Sequence, residues 1–189
     1  MKSRTLAKAA HRATLALATT GLAAGLPLGA PAVAQAAPNV GVSCSTAGQL
    51  HFEPGVQIIP LRQQATLSGE GSCTDNSGVG IRSAKLSSAY QNFLFSCVTT
   101  PSSGGTGSGT IEWTLDDGST VTSNVDMKWD RTVLNTGHIS GHVRQGIFAG
   151  EGFTADLKVS LFQGLGECTI GAPMGGVKDT GVTGTFSIG

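Results

Sequence analysis

Aromatic and charged side chains are what this chain has least of. Aromatic residues make up 5% and charged residues 13% of its 189 positions, while glycine alone occupies 28. That glycine content, with abundant Ser and Thr, disfavours a helical bundle, and no window carries a sustained helical apolar period with caps. The four cysteines include no close pair of the kind that zinc and dithiol redox motifs need. Neither a Gly-x-Ser-x-Gly elbow nor a His-Glu-x-x-His pattern occurs, so hydrolytic and metalloprotease chemistry have no local signature. What remains is a composition that asks for β-structure without announcing a catalytic site.

The first residues read as a targeting segment. Lys2, Arg4, Lys8 and Arg12 lead into an Ala/Leu-rich run ending at Ala34-Gln35-Ala36, the charged, apolar and small-residue parts of a secretory signal peptide. The expected leader is 1–36, because a cut after Ala37 would set Pro38 beside the scissile bond; a cut after Ala34 is the second choice. A membrane anchor is the competing reading, but Gly, Thr and Pro interrupt the run and no charged stop-transfer pattern follows. The product is therefore expected to be secreted, with no membrane span. Four of the twelve Lys and Arg lie in the leader and none of the twelve Asp and Glu do, so residues 37–189 carry a net charge of −4. Such a chain is a poor partner for nucleic acid or an anionic membrane. Its length suits one domain, and 37–189 is read as a single all-β domain.

The clearest pattern runs from Gly109 to Asp130. Ile111, Trp113 and Leu115 share one face of a first arm, and Val121, Val125, Met127 and Trp129 share one face of a second, with polar residues between. A two-residue Asp117-Gly118 turn would oppose Leu115 to Thr120 and mix the faces. A three-residue loop of Asp116, Asp117 and left-handed Gly118 sets Trp113 opposite Val121 instead, so parity selects a type I turn with a G1 bulge.

Similar alternation is found elsewhere. Val40, Val42 and Cys44, then Leu50 and Phe52 ahead of Pro54-Gly55, predict an opening pair of short strands. Gln63 to Cys73 predicts a strand closed by the turn Asp75-Asn76-Ser77-Gly78. Ile81 to Cys97 is expected to be extended, although a short helix over Ala84 to Tyr90 is an alternative. Pro101 to Gly109 reads as a loop too small and polar to pack. Ile139 to Ile147 and Phe153 to Leu161 are further strands, joined by a turn at Gly150, and Val182 to Gly189 ends the chain in a strand that should pair with something. The fold class is all-β: about 8–10 antiparallel strands in a β-sandwich or a closed β-barrel, with the sandwich ranked ahead.

In an exported chain, Cys44, Cys73, Cys97 and Cys168 predict two disulfides. Of the three connectivities, Cys44 to Cys73 with Cys97 to Cys168 is favoured, because the first two sit on early strands whose alternation turns both inward. Each bond would contribute roughly 3–4.5 kcal/mol on the loop-entropy model.

Several of these residues also carry a likeness. Cys44, Phe52-Glu53-Pro54-Gly55, Gly71-Ser72-Cys73, Cys97, Gly109-Thr110 leading to Trp113, Gly146 to Gly150, Cys168 and the end Gly184 to Gly189 resemble a group of small secreted β-rich actinobacterial proteins of unknown function. The resemblance spans nearly all of 37–189 but implies no activity or site residues.

Candidate sites are few. His138 and His142 form a His-x3-His pair on the polar face of their strand and could share a metal with a carboxylate; the missing third ligand favours a solvated polar face, so no metal or cofactor is expected. Asp116 and Asp117 are adjacent turn residues that serve the backbone rather than flank a sugar as a glycosidase pair. Trp129, near the end of its arm, is a better candidate than Trp113 for a partly exposed ring, with core packing favoured for both. No catalytic residue is named. The expected function is a non-catalytic secreted β-domain with a structural, adhesive or ligand-binding role and an extracellular or cell-surface ligand. The alternative is a small secreted hydrolase in which His51, His138 or His142 meets a carboxylate in a cleft.

Overall fold

The computed structural model describes residues 41–97, 104–133, 135–160 and 176–189; the expected leader and Cys168 lie outside them. Eight antiparallel strands follow one another around a closed barrel. They are β1 (Val42–Val56), β2 (Leu61–Asp75), β3 (Ile81–Phe95), β4 (Gly105–Leu115), β5 (Thr120–Val133), β6 (Thr136–Gly146), β7 (Gly152–Val159) and β8 (Val177–Ile188).

The sandwich ranked ahead in the sequence is not what forms. β8 pairs with β7 on one side and with β1 on the other, from Val42 opposite Ile188 to His51 opposite Asp179, so the terminal strand fills the last open edge. Closure needs strands that coil tightly past one another. Glycine makes two of these approaches possible: a Cβ on Gly71 would lie 1.8 Å from the Ser45 carbonyl oxygen, and one on Gly184 would lie 2.0 Å from that of Asp156.

Alternation fills the interior. Phe52, Tyr90, Phe93, Phe95 and Trp129 cluster toward the β1–β2 turn, with Phe93 edge-on to Trp129 at 4.7 Å between ring centroids. Trp113, Phe153 and Phe186 occupy the opposite end, where Phe148 stands edge-on to Trp113 at 5.7 Å. The few aromatics are thus concentrated where large side chains cap the two ends of the core. Trp129 is fully buried, the core packing favoured for it over a partly exposed ring: its indole N–H donates to Thr132 Oγ1 at 2.8 Å, so its polar edge is satisfied inside. Outward positions such as Thr66, Ser68, Lys85, Ser87 and Glu112 are exposed and polar, the reverse of the lipid-facing apolar band of a membrane barrel. No helix among the described residues is long and apolar enough to cross a membrane.

The central hairpin forms in the register parity selects. Trp113 lies opposite Val121, the Gly118 N–H donates to the Leu115 carbonyl at 3.0 Å, and the Leu115 N–H donates to Ser119 at 2.9 Å. Gly118 has φ +83, the left-handed conformation that the G1 bulge requires.

Ile81 to Phe95 is strand as expected, so the alternative helix over Ala84 to Tyr90 does not form, and two local expectations are corrected. The opening pair of strands is one strand, β1, which runs through Pro54, and β4 begins at Gly105, so residues 105–109 of the expected loop from Pro101 to Gly109 are strand paired with β3 or β5. In the last case cross-strand partners hold residues that have too little side chain to announce a strand. Cys44 and Cys73 are direct cross-strand neighbours on β1 and β2 and form the favoured disulfide, with Cα atoms 4.0 Å apart. Cys97 is also disulfide-bonded, but the expected Cys97–Cys168 bond involves a residue outside those described.

Candidate functional site

The wall of the barrel departs from simple alternation at several places, and two of the register breaks fall at one corner, on β1, β2 and β3. On β1 the register against β8 breaks between His51 and Val56, and two consecutive residues, Glu53 and Pro54, both face outward while Gly55 and Val56 are both buried. On β3 the register against β2 breaks between Gln63 and Ala65: Ala65 lies opposite Tyr90 and Gln63 opposite Phe93, so Gln64 faces both Gln91 and Asn92. Asn92 takes φ +55, which turns its side chain out beside that of Gln91. Two bulges thus flank β2, and each delivers a pair of outward side chains instead of one. Bulges re-aim side chains in this way at functional sites.

Between the two pairs lie Arg62 and Gln64 of β2, both exposed, with Glu53 directly opposite Gln64. Together these residues line a depression of about 270 Å³. Its rim carries one carboxylate, one guanidinium, three carboxamides and the ring of Pro54. Lys178 of β8 reaches Glu53 Oε2 at 3.4 Å and holds that carboxylate on the wall. Below, the Gln63 side chain is 2% exposed; its Nε2 donates weakly to the Gly55 carbonyl at 3.4 Å, and its Oε1 has no partner among the described residues.

Larger depressions of about 460 and 530 Å³ adjoin at Ser87 on the wall between β1 and β6, and one of about 310 Å³ lies across β2 and β3 beside Arg82 and Lys85. Ser, Thr, Gly and Ala dominate the lining of the first two, although the first also reaches Asn124 and Arg144, where β6 carries an extra residue against β5. Hydroxyls supply most of the polar groups of the first, whereas the corner brings three carboxamides, each donor and acceptor at once, to one depression.

The histidines do not come together. His138 Nδ1 meets Asp156 Oδ1 at 2.8 Å across β6 and β7, while His142 Nε2 lies 3.9 Å from Asp126 Oδ2 across β5 and β6. Each is drawn toward a different neighbouring strand on the wet face where alternation put it. His51 Nδ1 meets Asp179 Oδ1 at 2.7 Å across the β1–β8 seam, with the two side chains 45% and 72% exposed. All three described histidines therefore find a carboxylate, but on the open wall. Among the described residues no three His, Cys, Asp or Glu side chains gather as a metal site would need.

The perturbed carboxylates belong to turns and ladder contacts. Burial works to raise the Asp75 pKa, but hydrogen bonds from the Ser77 hydroxyl and the N–H groups of Ile81, Ser77 and Gly80 outweigh it and bring it down to about 2. The Ser119 hydroxyl and N–H lower Asp117 in the same way, at 2.6 and 2.9 Å, which is the turn role expected of it. Asp116 is a turn residue too, with its carbonyl accepting from Arg82 at 2.9 Å. The Ser140 hydroxyl, then Lys128 and His138, hold Asp130 below its ordinary value.

The corner residues were missed in the sequence because each had a blander reading. Pro54-Gly55 looked like the end of a strand, whereas Pro inside a strand also marks a bulge. The amide pairs Gln63-Gln64 and Gln91-Asn92 were the available signal, and nothing local says that they meet.

Fold and site together define an eight-stranded meander barrel with a packed interior and a bulge-built polar depression on its outer wall. Compared with known proteins, the chain matches no family model, no curated protein and no solved structure.

Proposed function

We propose that this chain is an exported, non-catalytic β-barrel that acts outside the cell by binding a ligand at the corner formed by β1, β2 and β3. The observation that carries the reading is the double bulge, which turns Glu53-Pro54 and Gln91-Asn92 outward on either side of Arg62 and Gln64. A polar surface built only for solubility has no need of such re-aiming, and the rigid barrel beneath keeps the six side chains in place. The leader-like N-terminus and the cysteine content support export.

The test is to follow the side-chain amide signals of Gln64, Gln91 and Asn92 by NMR while adding a fractionated extract of extracellular and cell-wall material. Shifts confined to these signals and their neighbours are expected. An extract that leaves all three unmoved refutes the reading.

The hydrolytic alternative draws on His51, one outward position along β1 from Glu53, with Asp179 holding its Nδ1. That geometry orients an imidazole, but the pair is open to water and lines none of the depressions described. Hydrolysis of ester, glycoside or peptide probes that is lost in His51→Gln would bring this reading forward.

A further inference from the structure

Resting on the binding reading above, we infer that the β1–β3 corner takes one uncharged pyranose unit of a glycan. The inference starts from the chemistry of the rim. Carboxamides present a donor and an acceptor side by side, and Gln64, Gln91 and Asn92 bring three of them to one depression. A hydroxyl is likewise donor and acceptor at once, so adjacent hydroxyls on a sugar ring match carboxamide, carboxylate and guanidinium edges in pairs.

Charge argues for a neutral ligand. An anion seated on the amides would lie beside the Glu53 carboxylate, directly opposite Gln64, whose charge the exposed Lys178 at 3.4 Å offsets only in part, and a cation would lie beside Arg62 and near Lys178. Size argues for a single ring, because about 270 Å³ is at the low end of ligand sites. The exposed Pro54 ring supplies a small apolar surface against which the C–H face of a sugar can rest, in a wall whose aromatic rings are turned to the core. An extended peptide is disfavoured on different grounds: strand addition needs a free sheet edge, and pairing of β1 with β8 closes the ring and leaves none among the described strands.

The test uses the full protein with its disulfides oxidised. Methyl glucopyranoside, methyl mannopyranoside and N-acetylglucosamine are titrated separately while the side-chain amide signals of Gln64, Gln91 and Asn92 are followed; glucuronate and alanine are the charged and zwitterionic controls. At least one neutral pyranose should shift all three signals saturably at millimolar concentration, and the controls should shift them less. Asn92→Gly accommodates the positive φ while deleting the carboxamide, so the barrel keeps its melting curve while the neutral sugar binds roughly fivefold more weakly, the effect of one lost hydrogen bond. Binding to Asn92→Gly as strong as to the parent overturns the inference. Shifts with glucuronate or alanine and none with the neutral sugars overturn the sugar assignment and leave the binding reading standing. If neither the five probes nor the extract moves these signals, both fall.

Discussion

Ser123 links two parts of the barrel that alternation alone would leave separate, and removing its hydroxyl should be costly for its size. The side chain is fully buried; its oxygen accepts from the Trp113 indole N–H at 2.9 Å, and its own O–H donates to the Ile147 carbonyl in the β6–β7 turn at 2.5 Å. Ser123→Ala removes one atom and leaves two polar groups without their partner. The indole sits in a fully buried side chain, where an unpaired donor costs about 1–3 kcal/mol; the carbonyl of half-buried Ile147 costs less because water can reach part of that residue. The expected total is about 2–4 kcal/mol, a fall in Tm of roughly 5–15 °C for a barrel of this size. A double-mutant cycle separates this from loss of packing. Trp113→Phe deletes the donor, so Ser123→Ala made in that background strands only the carbonyl and should cost at least about 1 kcal/mol less than in the parent. Urea unfolding followed through Trp129, which every variant retains, gives the four stabilities. A Ser123→Ala loss below about 0.5 kcal/mol, or simple additivity in the cycle, would refute the account of Ser123 as a buried relay.

Two further predictions concern titratable groups. Burial pushes the phenol of Tyr90 up to about 12, with the neighbouring Ser88 hydroxyl pulling the other way, and it is the chain's one tyrosine. A raised folded pKa gives stability that is fully present below the ordinary value of 10 and lost as pH rises through about 12. Phenolate absorbance should therefore appear late, and Tyr90→Phe should remove this component of alkaline destabilisation; ordinary titration in the folded barrel would contradict the buried placement. Changing His138 and His142 together to Gln should alter stability by no more than about 0.5 kcal/mol, because each has an exposed partner on a different strand. Calorimetry with zinc checks the same pair, and stoichiometric binding lost in the double variant would revive a metal site.

How much of this was legible beforehand depends on the range of the interactions involved. Ile111 to Trp129 could be read in detail, because the period-2 pattern and the Asp-Asp-Gly turn are local and together permit only one register. The inward set, including Cys44 and Cys73, followed from the same parity. Barrel closure did not. Whether β8 joins β1 depends on the accumulated twist and coil of the intervening strands, and no short window carries that sum. The strand beginning at Gly105 escaped because glycine and serine say little about conformation until partners on β3 and β5 supply hydrogen bonds.

The corner shows the same division. The sequence by itself determined that residues 37–189 favour strands, which faces turn inward, and that turn carboxylates and histidines lie on wet positions. Only the tertiary structure decided that the ladder breaks at His51–Val56 and at Gln63–Ala65, because a bulge is a mismatch of register, an extra residue in one strand that exists only relative to its partner. The mismatch belongs to pairs of strands rather than to either one, so Glu53, Arg62, Gln64, Gln91 and Asn92 became a group only when three strands were laid side by side.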